Sequence, residues 1–253
     1  MKNNAVLLGA PALGLGLVML GTAPAMAAHA EGSYSTMLDE INNSGASGEV
    51  WIDVEGTTAT VTLNATGLAA EFDGAPYPHV QHIHIDAQGL CPSPDADTNG
   101  DGIISTTEGA PFYGGIGTTL SVGDADKSPD GGLDLAAAPA GDTISYEETF
   151  ELDQATQDAL AAGTAVVVVH GLDPATQPEA GTSESDLVPE LPLAATSPAL
   201  CGALAMAPAG GVDTGVEQGT DGSAMAVTAL GGLLAVGTVA GVVMLRRRAI
   251  TND

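Results

Sequence analysis

Alternation is the feature that most limits what this chain can fold into. Glu49-Val50-Trp51-Ile52-Asp53-Val54 and Thr58-Ala59-Thr60-Val61-Thr62-Leu63-Asn64-Ala65 exchange polar and apolar residues at every step. That is the period of a strand with one buried face. Gly56-Thr57 lies between the two runs and predicts a hairpin. Further strands are expected over 34–41, 78–85, 118–122, 142–152 and 200–206, and a buried one over Ala165-Val166-Val167-Val168-Val169-His170. One short helix is expected over 154–162, with Asp153 as its N-cap and Gly163 as its stop. The stretches 86–117 and 173–198 read as long loops, the second holding five of the fifteen prolines. Short strands, long loops and one minor helix predict an all-β sandwich. Aromatic residues are only 3% of the chain, so its core must be built from Val, Leu, Ile and Ala.

The two ends carry different signals. Lys2, an apolar run over 5–20 and Ala25-Met26-Ala27 form the three regions of a signal peptide, with residues 1–27 removed. Residues 224–245 are continuously apolar, long enough for a helix crossing a bilayer of about 30 Å. Arg246-Arg247-Arg248 opens the tail 246–253, which the positive-inside rule keeps cytoplasmic. The chain between is therefore expected outside, as an exported protein held at the cell membrane or cell wall. Residues 208–223 form a Gly-rich linker containing Val212-Asp213-Thr214-Gly215, which resembles a sortase cleavage signal without the usual Leu-Pro start. The region 28–223 holds 31 of the 32 acidic residues and one base, Lys127. Nucleic-acid binding is excluded, because phosphates need clustered Lys and Arg.

Two clusters carry chemistry. His82 and His84, in Pro78-His79-Val80-Gln81-His82-Ile83-His84-Ile85, share one strand face, and His170 ends the second apolar run. Neutral imidazole suits copper, with His79 considered as a further ligand; that His170 joins the pair is what the resemblance given below implies. The second cluster is Asp97-Thr98-Asn99-Gly100-Asp101-Gly102-Ile103-Ile104-Ser105-Thr106-Thr107-Glu108, which fits a twelve-residue EF-hand loop. Asp97, Asn99 and Asp101 would offer side-chain oxygens, Ile103 its carbonyl, Ser105 a water-mediated contact and Glu108 a bidentate carboxylate. Calcium is the cofactor expected there, in a structural role. Cys91 and Cys201, the two cysteines of an exported chain, predict a disulfide. Closing a loop of that size is worth about 4–5 kcal/mol on the chain-entropy account. Asn42-Asn43-Ser44 and Asn64-Ala65-Thr66 fit glycosylation sequons. No Gly-x-Ser-x-Gly or His-Glu-x-x-His is present, and no catalytic residue is assigned.

The order His-x-His, Cys, Val-Val-His, Cys-Gly resembles the copper/zinc superoxide dismutase superfamily. The hairpin ending in Gly67-Leu68 ahead of the His-x-His strand also resembles the CHRD domain family. The resemblance covers about 34–207 and implies a Greek-key β-sandwich, copper on His82, His84 and His170, and a Cys91–Cys201 bridge. The departures are specific. No histidine lies between His84 and His170, so the bridging and zinc histidines are missing and zinc is not expected. The guiding arginine ahead of the second cysteine is replaced by the Pro198-Ala199 region. A strongly acidic domain also repels an anion such as superoxide. Two functions follow. One is a surface-anchored, calcium-stabilised, non-catalytic module facing an adhesion partner. The other is a copper-binding protein or copper-only dismutase. The missing arginine favours the first.

Overall fold

The computed structural model describes residues 30–207 apart from Asp73. The signal peptide, linker, sorting signal, membrane span and tail expected from the sequence lie outside the described residues. Among the described residues no helix is long and apolar enough to cross a membrane.

The fold is built from antiparallel strands. The first half joins β1 (Gly32–Glu40), β2 (Ser47–Glu55), β3 (Thr58–Thr66) and β8 (Thr143–Glu151). The second joins β7 (Gly115–Thr119), β6 (Gln81–Ile85), β9 (Val166–His170) and β10 (Pro198–Ala203). β1 links them, pairing with β2 along most of its length and with β10 at Asp39 and Glu40. A short β11 (Ala205–Met206) returns to β1, and β4 (Glu71–Phe72) with β5 (Ala75–Pro76) forms a separate ribbon. The chain therefore alternates between the halves, and the sheet curls over one shared core. Val50, Ile52, Leu63 and Tyr146 enter it from the first half; Ile83, Val167, Val169 and Leu200 enter from the second.

Local sequence explains the strands. β2 buries Val50, Ile52 and Val54, and β3 buries Ala59, Val61, Leu63 and Ala65. Glu55 pairs with Thr58, leaving Gly56 and Thr57 as a two-residue turn. Gly56 sits at φ 62°, which suits the first central position of such hairpins. The Ala and Val content compensates for the scarcity of aromatics by packing close, and the largest wholly buried rings are Tyr34 and Tyr113.

β9 is buried on both faces, and this positions the site. Its odd residues Val167 and Val169 join the sandwich core. Its even residues Val166 and Val168 face outward into a second apolar cluster with Ile41, Ala96, Ile104, Tyr113 and Cys201. That cluster is roofed by the 86–114 excursion, which the Cys91–Cys201 disulfide ties to β10 with Cα atoms 5.8 Å apart. The excursion is not all loop, as the sequence had suggested. It contains α1 (Thr106–Tyr113), begun by a reciprocal capping box between Ser105 and Glu108. Pro111 and a weak apolar face hid this helix in the sequence. α2 (Gln154–Ala162) occupies the expected residues, with Asp153 accepting from Thr156 N–H and Gly163 at φ 69°. The 173–198 stretch also contains two short helices, α3 (Pro178–Thr182) and α4 (Leu193–Thr196).

Asn42 holds the excursion to the sandwich. It sits at φ 59°, and its amide donates to the carbonyls of Ile104 and Pro198, each at 3.0 Å. Its carbonyl accepts from Ile104 N–H at 2.7 Å. The amide nitrogen has no hydrogen left for a glycan, so Asn42 is a clamp rather than the acceptor its sequon suggested. Asn42→Ala strands these partly buried backbone groups. The expected loss is about 1–3 kcal/mol of unfolding free energy in a denaturant titration.

Candidate metal centre

Strand parity brings three imidazoles to one spot. His82 and His84 project from the outward face of β6, since Ile83 and Ile85 are in the core. Across the ladder His82 pairs with Val168 and His84 with Val166. The end of β9 continues this register, with His170 N–H donating to Val80 O at 2.9 Å. His170 therefore shares the outward face and lies diagonally across from His82. The ring centroids are 5.5 Å (His82–His84), 5.2 Å (His82–His170) and 5.9 Å (His84–His170) apart. One nitrogen from each ring lies within 4.8 Å of the others. All three side chains are buried.

The other ring nitrogens face carbonyl oxygens. His82 Nε2 is 3.0 Å from Gly132 O, His84 Nδ1 is 3.0 Å from Gly114 O, and His170 Nδ1 is 2.7 Å from Thr196 O. A carbonyl only accepts, so each of these nitrogens carries the proton. His82 Nδ1, His84 Nε2 and His170 Nε2 are left with lone pairs, buried and without a partner. Binding a metal through one nitrogen and a backbone carbonyl through the other is the usual arrangement of a histidine ligand. The three orphaned atoms are thus a donor set that fits a transition metal.

The carbonyls are delivered by the loops around the sandwich. Gly114 ends α1 at φ 93°, and a Cβ there would meet Ile85 O at 1.7 Å. Gly132 lies in the segment after β7, where a Cβ would meet Ile116 Cδ1 at 2.5 Å. Thr196 ends α4 and also accepts from Thr106 Oγ1. Tyr113 closes one side, its ring edge 4.7 Å from His84 and its hydroxyl donating to Thr106 O at 3.1 Å. Its ring lies where a Cβ on residue 109 would be, which is why Gly109 stands there. The sequence offered no signal for Gly114, Gly132, Thr196 or Tyr113 beyond the frequency of glycine in turns.

The other expected site residues are placed differently. His79 is wholly buried but outside the cluster; its Nδ1 is 2.9 Å from His170 O and its Nε2 is 2.9 Å from Ala69 O. It braces the backbone beside the site instead of supplying a fourth donor. In the twelve-residue loop, Asp97 accepts from Gly100 and Gly102 N–H, Asn99 from Asp101 N–H and Asp101 from Ile103 N–H. Glu108 accepts from Thr98, Asn99 and Ser105 N–H. Burial would raise the Glu108 carboxyl, but these hydrogen bonds outweigh it and hold it below the usual range. Ser105 Oγ turns to Asp186, at 2.7 Å. Among the described residues, the three histidines are the one set of three or more His, Cys, Asp or Glu side chains close enough to share an ion; Asp97, Asp101 and Glu108 do not form another.

No protein-family model matches this sequence. No curated protein is similar to it at the level of significance required. Solved structures of Candida albicans superoxide dismutase 5 are similar in layout. Its Cu(II) form is 12% identical, with a TM-score of 0.39 over 72% of this chain and 97% of that one. A glutamate-to-alanine mutant is 11% identical, with a TM-score of 0.39 over 72% of this chain and 94% of that one. Likeness at this level carries no statement about activity.

Burial, reinforced by the imidazoles of His170 and His84, holds His82 well below the ordinary histidine range. Burial and His170 lower His84 to about 3, and burial lowers His170 to about 4. The unfolded chain, with histidines near ~6.5, binds protons first as pH falls. Stability is therefore full above ~6.5 and is lost as pH drops toward the folded values. For the metal-free chain, the denaturation midpoint should fall between about pH 6.5 and 4, and His84→Gln should flatten that slope.

Proposed function

We propose that this chain is an exported, surface-held β-sandwich of superoxide dismutase-like layout that binds one copper ion through His82, His84 and His170. The observation that carries the reading is the set of three buried, unpartnered ring nitrogens, each on an imidazole whose other nitrogen is held by a backbone carbonyl. Imidazole suits copper, and copper heads the affinity order of divalent first-row metals. Three neutral donors leave the charge of the ion uncompensated, which suits an acidic protein. The disulfide fits an oxidising compartment. Anchoring through 224–245, sortase cleavage at Thr214-Gly215, kinship with CHRD domains and an adhesion partner remain parts of this reading that the sequence motivates.

The role is copper holding, as a buffer or carrier, in preference to dismutation. Superoxide is an anion, and among the described residues the single Lys or Arg is Lys127. Its Nζ donates to the carbonyls of Ser121 and Gly123 and lies over the Phe150 ring, so it does not serve as a guide at the site.

Calcium is the second part of the reading. In the structure each carboxylate of the twelve-residue loop accepts from loop N–H groups, and the calcium reading rests on the sequence motif. The loop lies against Asn42, so an ion there would brace the same excursion that supplies Gly114 O.

One metal analysis of the purified full chain tests both parts. The expected result is one copper per chain, lost in the His82→Ala/His84→Ala variant, and one calcium that survives that variant but not Glu108→Gln. A chain that stays copper-free in excess copper contradicts the copper reading. A chain that binds copper but never calcium removes the second part alone.

A further inference from the structure

Beside the three imidazoles lies a cavity of about 240 Å³. Its floor is His82, His84 and His170, and its wall is almost wholly apolar. Leu133 and Leu135 come from the segment after β7, and Leu187 and Leu191 come from the stretch ahead of α4; Ile116 and Ala195 fill between them. Three of these side chains form a half-open rim: Leu133 is 51% exposed, Leu187 49% and Leu135 37%. Exposed leucines on an otherwise acidic surface, gathered around one opening, mark a place where an apolar body is bound.

We infer that the open side of this site takes a small neutral molecule with one donor atom and an apolar body about one ring in size. The inference rests on the copper reading for the donor atom and on the wall for the body. Charge selects a neutral ligand. No Lys or Arg lines the cavity. An anion would give up its hydration and find no counter-charge in the wall. Size selects a single ring with a substituent, since an apolar cavity of about 150 Å³ already holds benzene. The floor selects the donor, because the three imidazoles that would hold the ion also line this cavity. The apolar lining then makes affinity rise with the apolar area of the ligand, at roughly 25 cal/mol per Å². That dependence separates this site from one built to admit a small hydrated anion.

The test uses the copper-loaded full chain with imidazole, 4-methylimidazole, 4-phenylimidazole and azide, binding being read from the Cu(II) absorption spectrum. Donor strength changes little along the imidazole series while apolar area grows. The expected result is at least tenfold tighter binding of 4-phenylimidazole than of imidazole, with azide weaker than 4-phenylimidazole. Leu135→Asp and Leu187→Asp, both at the exposed rim, should abolish the gain and leave copper at one per chain. Equal affinities along the series, azide as the tightest ligand, or rim variants that keep the gain would each overturn the inference. A metal-free arm reads the cavity alone. There 4-phenylimidazole should raise the melting temperature of the unsubstituted chain and not of Leu135→Asp. Failure to take up copper therefore defeats the functional reading, and failure of the melting shift defeats the cavity.

Discussion

Three backbone carbonyl oxygens, those of Gly114, Gly132 and Thr196, determine what the centre of this protein can do. Each takes the N–H of one buried imidazole. With that proton fixed, the opposite nitrogen of each ring has only a lone pair to offer, and all three lone pairs belong to one cluster. Buried polar atoms without partners cost about 1–3 kcal/mol each. Three such atoms in one cluster are a donor set that an ion would satisfy. Burial adds to the effect by keeping the rings neutral, so protons do not compete for the same lone pairs at neutral pH.

The architecture makes this arrangement through two separate devices. Strand parity sets the histidines on the outward face of β6 and β9 while their neighbours fill the core. The carbonyls come from elsewhere, on connections that a plain sandwich would leave loose. The Cys91–Cys201 bridge and the Asn42 clamp hold the excursion that ends at Gly114. Ser185, hydrogen-bonded to Thr196 at 2.7 Å, holds the stretch that supplies the third carbonyl. The same connections raise the leucine rim. The loops thus fix the proton positions on the ligands and also give the cavity its apolar character.

The sequence reveals the first device far better than the second. Alternation at 49–54 and 58–65 places β2 and β3 within a residue or two, because one solvated and one buried face leaves a period-two record. The Val run marks β9, and His-x-His places two rings on one face. The Asp153 and Gly163 caps mark α2. The approach of the third histidine rests on resemblance to a superfamily, and the cysteine pairing on there being two cysteines in a chain expected to be exported; neither is a matter of periodicity. α1 is hard to read from the sequence because Gly109 and Pro111 weaken its pattern, and its capping box, Ser105 with Glu108, falls within the calcium motif. His79 was considered a donor because a sequence does not show that both its nitrogens face carbonyls. The partners of His82, His84 and His170 are backbone atoms, which any residue type supplies, so no sequence pattern could announce them.

The most direct test of the account is the tautomeric state of the three rings in the metal-free chain at neutral pH, read from long-range proton–nitrogen correlation spectra of the histidines. The expected result is three neutral rings, His82 protonated at Nε2 and His84 and His170 at Nδ1. A doubly protonated ring among the three, or a proton on His82 Nδ1, His84 Nε2 or His170 Nε2, would contradict it.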